Sequence, residues 1–130
     1  MKLSYAHGTS DVPLIGQTIG DLLDQTATKF PVNDALVSLF ENRRFSYLEL
    51  VKEVNLIARA LIALGVKKGD RVGIWSTNCI AWVFAQFATA KVGAILVTIN
   101  PAYRAYELEF ALREMDMGLY LAQSIKLGAP

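Results

Sequence analysis

The residues of this chain best placed to meet a ligand are two short polar loops, Ser76-Thr77-Asn78 and Asn100-Pro101-Ala102-Tyr103. Each stands at the end of an apolar run that reads as a strand, and in open parallel sheets ligands bind beyond the carboxyl ends of the strands. What these loops offer is binding rather than catalysis. The plainer alternative is structural, with Asn78 capping the helix that follows and Pro101 redirecting the chain.

Catalytic chemistry finds little to work with elsewhere. Cys79 stands near a helix start, where a thiol can ionise easily. His7 is the one histidine and lies in an N-terminal arm, so neither a Cys–His pair nor a metal cluster can be built. Cys79 therefore reads as a small buried residue. Glu107, Glu109, Glu114 and Asp116 read as a solvated helix face, partly compensated by Arg113. Trp75 and Trp82 read as core aromatics, with an aromatic ligand box as the alternative. A phosphate cradle needs glycines, so that backbone N–H groups can converge on the anion at a helix N-terminus. The junction Ile74-Trp75-Ser76-Thr77-Asn78 has none, and neither G-x-G-x-x-G nor G-x-x-x-x-G-K-S/T occurs in the sequence. Gly65 and Gly69 flank a turn before the strand, on the wrong side for a nucleotide. No residue is thus assigned to catalysis, to a cofactor or to a metal.

The elements that must position the two loops follow from periodicity and punctuation. Residues 1–17 read as an irregular arm. Thr18, with Asp21 three residues on, opens an amphipathic helix over 18–30 through Ile19, Leu22, Leu23, Ala27 and Phe30, and Pro31 ends it. Residues 35–40 and 44–46 flank Glu41-Asn42-Arg43 as a hairpin. Ser46 and Glu49 form a capping box for a helix carrying Leu50, Val51, Val54, Ile57, Ala58, Leu61 and Ile62, which Gly65 closes. Residues 71–76 read as a strand, 79–92 as a helix apolar nearly all round and so buried, and 94–99 as a central parallel strand. A further helix near 105–115 and a strand at 119–122 complete the order. A strand, helix and second strand in this sequence make a βαβ unit, which belongs to a parallel sheet covered by helices.

Composition narrows the classes. The 130 residues fit one domain, and the hydrophobic share of 53% and mean hydropathy of +0.32 exceed the roughly 45–50% apolar content of ordinary domains. Some apolar surface is therefore expected to meet another layer of protein. The formal net charge of +1, from 13 basic and 12 acidic residues, leaves no basic stripe for nucleic acid. One cysteine allows no intrachain disulfide and suits a reducing cytosol. Residues 72–90 carry no charge, but Ser76-Thr77-Asn78 interrupts them, and a spanning helix needs about 20 continuous apolar residues. No secretory signal is expected, because no apolar segment follows Lys2.

Gly69-Asp70-Arg71-Val72, then Asn78, Trp82, Ala90-Lys91-Val92-Gly93-Ala94 and Asn100-Pro101-x-Tyr103-Arg104-x-x-Glu107-Leu108, resemble the early region of the AMP-forming acyl-CoA synthetases. The arm Ser4-Tyr5-x-His7-Gly8-x-Ser10-Asp11-x-Pro13-Leu14 with Thr18-Ile19-Gly20 is similar to the subgroup acting on medium-chain fatty acids. The resemblance implies a layered α/β large domain, a fatty acid substrate, and ATP, Mg²⁺ and coenzyme A as ligands, with an acyl-adenylate intermediate. The family's Ser/Thr/Gly-rich ATP loop, its aromatic-Thr-Glu motif, its ribose-binding Asp and its catalytic Lys have no matching positions here. The expectation is an α/β fold: a partial doubly wound, mainly parallel sheet flanked by helices, with a small N-terminal β-hairpin. Residues 18–130 are then the N-terminal part of an adenylating enzyme's large domain. As it stands the chain is expected to be inactive, cytoplasmic and self-associating, with the remainder of the enzyme as partner. The alternative is a free-standing, non-catalytic α/β binding or interaction module.

Overall fold

The computed structural model describes residues 8, 11–12, 14–115 and 118–122. Ser4, Tyr5, His7, Ser10, Pro13 and Asp116, together with residues 123–130, lie outside them. The elements run α1 (Ile19–Lys29), β1 (Asp34–Ser38), β2 (Arg43–Ser46), α2 (Tyr47–Ala63), β3 (Arg71–Trp75), α3 (Ile80–Val92), β4 (Ile95–Ile99), α4 (Ala105–Glu114) and β5 (Leu119–Ala122). β1 and β2 pair as an antiparallel hairpin, and β4-β3-β5 form a parallel sheet with β3 central. The fold is the α/β arrangement expected from the sequence.

The helix ends obey local chemistry. Thr18 Oγ1 accepts the Asp21 N–H at 3.1 Å. At α2 the Glu49 N–H donates to Ser46 Oγ at 3.3 Å, while the Ser46 N–H donates to Glu49 Oε2 at 2.8 Å. Two of the N–H groups that a helix start leaves unpaired are thus satisfied reciprocally. Gly65, just past α2, has φ +91°, and Gly93, which caps α3, has φ +74°. Both occupy the left-handed region that a Cβ disfavours.

The hairpin is shorter than its apolar run. β1 stops at Ser38, and Leu39 and Phe40, expected in the strand, lie in the turn. The reason is Ser38 itself. Its hydroxyl donates to Glu41 Oε2 at 3.0 Å and accepts the Glu41 N–H at 3.3 Å, and Asn42 takes a positive φ of 48°. These contacts fold the chain back before the apolar run has ended.

The core lies between two layers. Leu50, Val54, Ala58 and Leu61 form the buried stripe of α2 and meet Ile80, Phe84 and Ala88 of α3, with Leu23 of α1 and Phe45 of β2. Phe45 and Phe84 meet edge to face, with centroids 5.2 Å apart, the geometry their ring quadrupoles favour. α3 packs on the far side against the sheet. The further protein layer expected from the apolar surplus is not what covers this helix: α1 and α2 lie on its outer face, leaving only Ala81 and Gln86 of α3 exposed. Lys91 ties the three helices together: its Nζ donates to Asp24 Oδ1 of α1 at 2.5 Å and to Asn55 Oδ1 of α2 at 2.8 Å. Its stem crosses Gly20, where an added Cβ would come within 2.9 Å of Lys91 Cγ.

Candidate functional site

β3 and β4 run parallel in register, with Gly73 beside Val97 and Trp75 beside Ile99, so their carboxyl ends finish level. The chain leaves β3 for α3 and returns to β4, then crosses beyond β3 to reach β5. By the right-handed rule for such crossovers, this strand order carries the two connecting helices to opposite faces, so that the loops after β3 and β4 diverge. The crevice between them is the topological switch point at which open α/β sheets bind ligands.

That crevice is a cavity of about 800 Å³. Ser76, Thr77 and Asn78 line it from one loop, and Asn100, Pro101 and Tyr103 from the other, as the sequence led one to expect. Val97, Thr98 and Ile99 of β4 contribute the strand side. Trp82 of α3 and Phe110, Ala111, Glu114 and Met115 around α4 complete it. Trp82 fits the aromatic-box alternative, whereas the four residues around α4 carry no site reading in the sequence. Their signal was present in the helical spacing of Phe110 with Glu114 and of Ala111 with Met115, which places each pair on one face.

The loops are held by hydrogen bonds of ordinary length. The Trp75 indole N–H donates to the Asn100 carbonyl at 3.1 Å, joining the ends of the two strands. Asn100 Oδ1 accepts the Ala102 N–H at 3.0 Å, and its carbonyl also accepts the Tyr103 N–H at 3.0 Å, so Asn100 and Pro101 do build the expected turn. Ser76 Oγ donates to the Thr77 carbonyl at 2.9 Å and lies 3.5 Å from Cys79 Sγ. Neither tryptophan is fully buried core: Trp75 and Trp82 are half-buried and serve the site, one as a tie and one as a wall. Cys79 is likewise half-buried rather than buried.

Asn78 does not cap α3. Cys79 is the N-cap and makes no side-chain capping bond; the Ile80 N–H donates instead to Glu41 Oε2 at 2.7 Å, across from the hairpin turn. The acidic residues of α4 divide by role. Glu107 accepts the Arg104 N–H at 2.8 Å, Glu109 pairs with Arg113 at 2.6 Å, and Glu114 lines the cavity.

Residues 23–129 match the family described as AMP-binding enzyme. The chain belongs to that family. It is 48% identical over 113 residues to the medium-chain acyl-CoA ligase ACSF2, mitochondrial, of Rattus norvegicus, an alignment covering 87% of this chain and 18% of that ligase. A Mycobacterium tuberculosis fatty acyl CoA synthetase superposes with a TM-score of 0.78 at 32% identity, over 81% of this chain and 21% of the other. The inhibitor-bound N-terminal domain of FACL13 from the same organism gives the same TM-score and identity, over 81% of this chain and 26% of that domain. The chain thus spans about a fifth of the length of the family members it matches.

The family implies ATP and Mg²⁺, and the residues here do not fit the phosphates. The N-termini of α2, α3 and α4 already hold the carboxylates of Glu49, Glu41 and Glu107, each accepting a backbone N–H. A phosphate would have to displace a like charge from the donors it needs. Among the described residues, no group of three or more His, Cys, Asp or Glu side chains is arranged to hold a metal ion.

Proposed function

We propose that this chain is the N-terminal scaffold of a fatty acid:CoA ligase. Such an enzyme activates a medium- or long-chain acid with ATP as an acyl-adenylate and then forms the thioester with coenzyme A. The observation that carries this reading is the 48% identity across 87% of the chain to a medium-chain acyl-CoA ligase, on a fold shared with a fatty acyl CoA synthetase. Residues 18–130 belong to the large domain, with residues 1–17 as its arm. The groups that hold ATP, Mg²⁺ and coenzyme A, and the catalytic residues, come from the rest of the enzyme. The chain's own contribution is the sheet, its helical cover and one wall of the switch-point cavity. Its mixture of apolar side chains with a polar rim suits an amphiphilic ligand. The enzyme works in the cytosol, a reading supported by the single free cysteine. No helix among the described residues is long and apolar enough to cross a membrane.

The deciding experiment is fatty-acid-dependent exchange of labelled pyrophosphate into ATP by the complete ligase carrying this segment. Exchange with octanoate to palmitate is expected, and a folded enzyme inert across short, medium and long acids refutes the reading. The 130-residue chain alone, titrated calorimetrically with Mg-ATP, should give no saturable heat. Micromolar binding would show that a nucleotide site lies within it.

A further inference from the structure

The first amide of a helix has no partner inside the helix. In α3 that amide is Ile80, and its N-cap residue, Cys79, makes no side-chain capping bond. The bond comes from a residue 39 positions earlier, Glu41, whose Oε2 accepts the Ile80 N–H at 2.7 Å. Glu41 is held for this: it is half-buried, its carboxylate accepts the Ser38 hydroxyl at 3.0 Å, and its own N–H donates to Ser38 Oγ at 3.3 Å. Immediately before Ile80 comes the loop that supplies Ser76, Thr77 and Asn78 to the large cavity. That loop is also a partition. Ser76 and Trp82 line both the large cavity and a second, apolar one of about 350 Å³, which Glu41 itself borders.

We propose that Glu41 is a positioning residue for the switch-point cavity, fixing the wall between the two cavities by capping α3 from the hairpin. The loop then has a tie at each end. Trp75 fixes its start to Asn100, and Glu41 fixes its finish through Ile80. A carboxylate also suits the positive end of the α3 dipole, which the apolar first turn of α3 leaves without an acidic residue of its own.

Native-state amide exchange on the 130-residue chain tests this, because protection of Ile80 reports one bond. In Glu41→Ala, protection at Ile80 should fall about tenfold or more relative to the core amides of α2, and the amide resonances of residues 76–79 should move. Glu41→Gln, which keeps an acceptor oxygen at the same reach, should restore both. Ser46→Ala serves as the comparison, since a loss of general stability lowers protection throughout without singling out Ile80. Unchanged Ile80 protection in folded Glu41→Ala, or a Gln variant that behaves like Ala, overturns the proposal. Should Glu41→Ala not fold, Glu41→Gln decides alone: retained protection and loop shifts support the cap, and their loss refutes it. None of these readouts depends on which ligand the cavity takes, so this proposal and the ligase reading fail separately.

Discussion

Glu49 shows that local hydrogen bonds can lower the pKa of an exposed carboxylate. It accepts the backbone N–H and the hydroxyl of Ser46, and these two bonds, the backbone one first, hold its pKa below the ordinary 4.5. A group whose folded pKa is depressed adds its stabilisation above the unfolded value and loses it as pH falls through the folded one. The difference in urea midpoint between the wild-type chain and Glu49→Gln should therefore be constant at neutral pH and close as the pH drops below 4.5. Ser46→Ala, which removes the cap itself, should cost about 1 kcal/mol at pH 7. Glu49→Ala should cost less, because only the reciprocal bond to the cap residue goes. No difference for Ser46→Ala in chemical denaturation would mean that the capping box adds nothing to stability.

Among the elements, α2 carries the core. Leu61 is 2% exposed and packs with Val54 and Ala58 against α1 and α3. Leu61→Ala should cost about 2–5 kcal/mol with an unchanged denaturant slope, a large part of the stability of any small domain. The α2 start was legible because Ser46 and Glu49 are three residues apart, and its end because Gly65 alone among its neighbours accepts a positive φ cheaply. β3, β4 and the two polar loops were legible for the same reason: short apolar runs with local punctuation. What the chain concealed depends on contacts distant in sequence. The early end of β1 needs Ser38 to meet Glu41, and the cap on α3 needs the hairpin turn to meet Ile80. The cover on α3 needs α1 and α2 to arrive on its outer face. Part of the cavity's wall comes from α4, whose side chains reveal their side of the sheet only once the crossover is known.

For the molecule as a whole, apolar surface is concentrated away from α3. Leu39 and Phe40 are 89% and 97% exposed at the hairpin tip, Tyr106 and Phe110 are 81% and 61% exposed on α4, and Ile95 is 51% exposed on β4. Among the described residues, β4 and β5 each leave one edge of the parallel sheet unpaired, a ready template for another strand. The chain is therefore expected to self-associate through the α4 side and the sheet edges rather than through α3. Light scattering after size exclusion at micromolar concentration should report at least a dimer, and Tyr106→Lys with Phe110→Lys should shift it toward monomer. A clean monomer that binds no hydrophobic dye would count against this. The position of the core has a further consequence, for the order of events during synthesis. Every residue of the main cluster, from Leu23 to Ala88, precedes β4. The helical half can thus condense while the outer strands are still emerging from the ribosome, with β3 waiting on its surface for partners made later on either side. The sheet, at whose carboxyl edge the cavity of about 800 Å³ opens, would then be the last part of this segment to close.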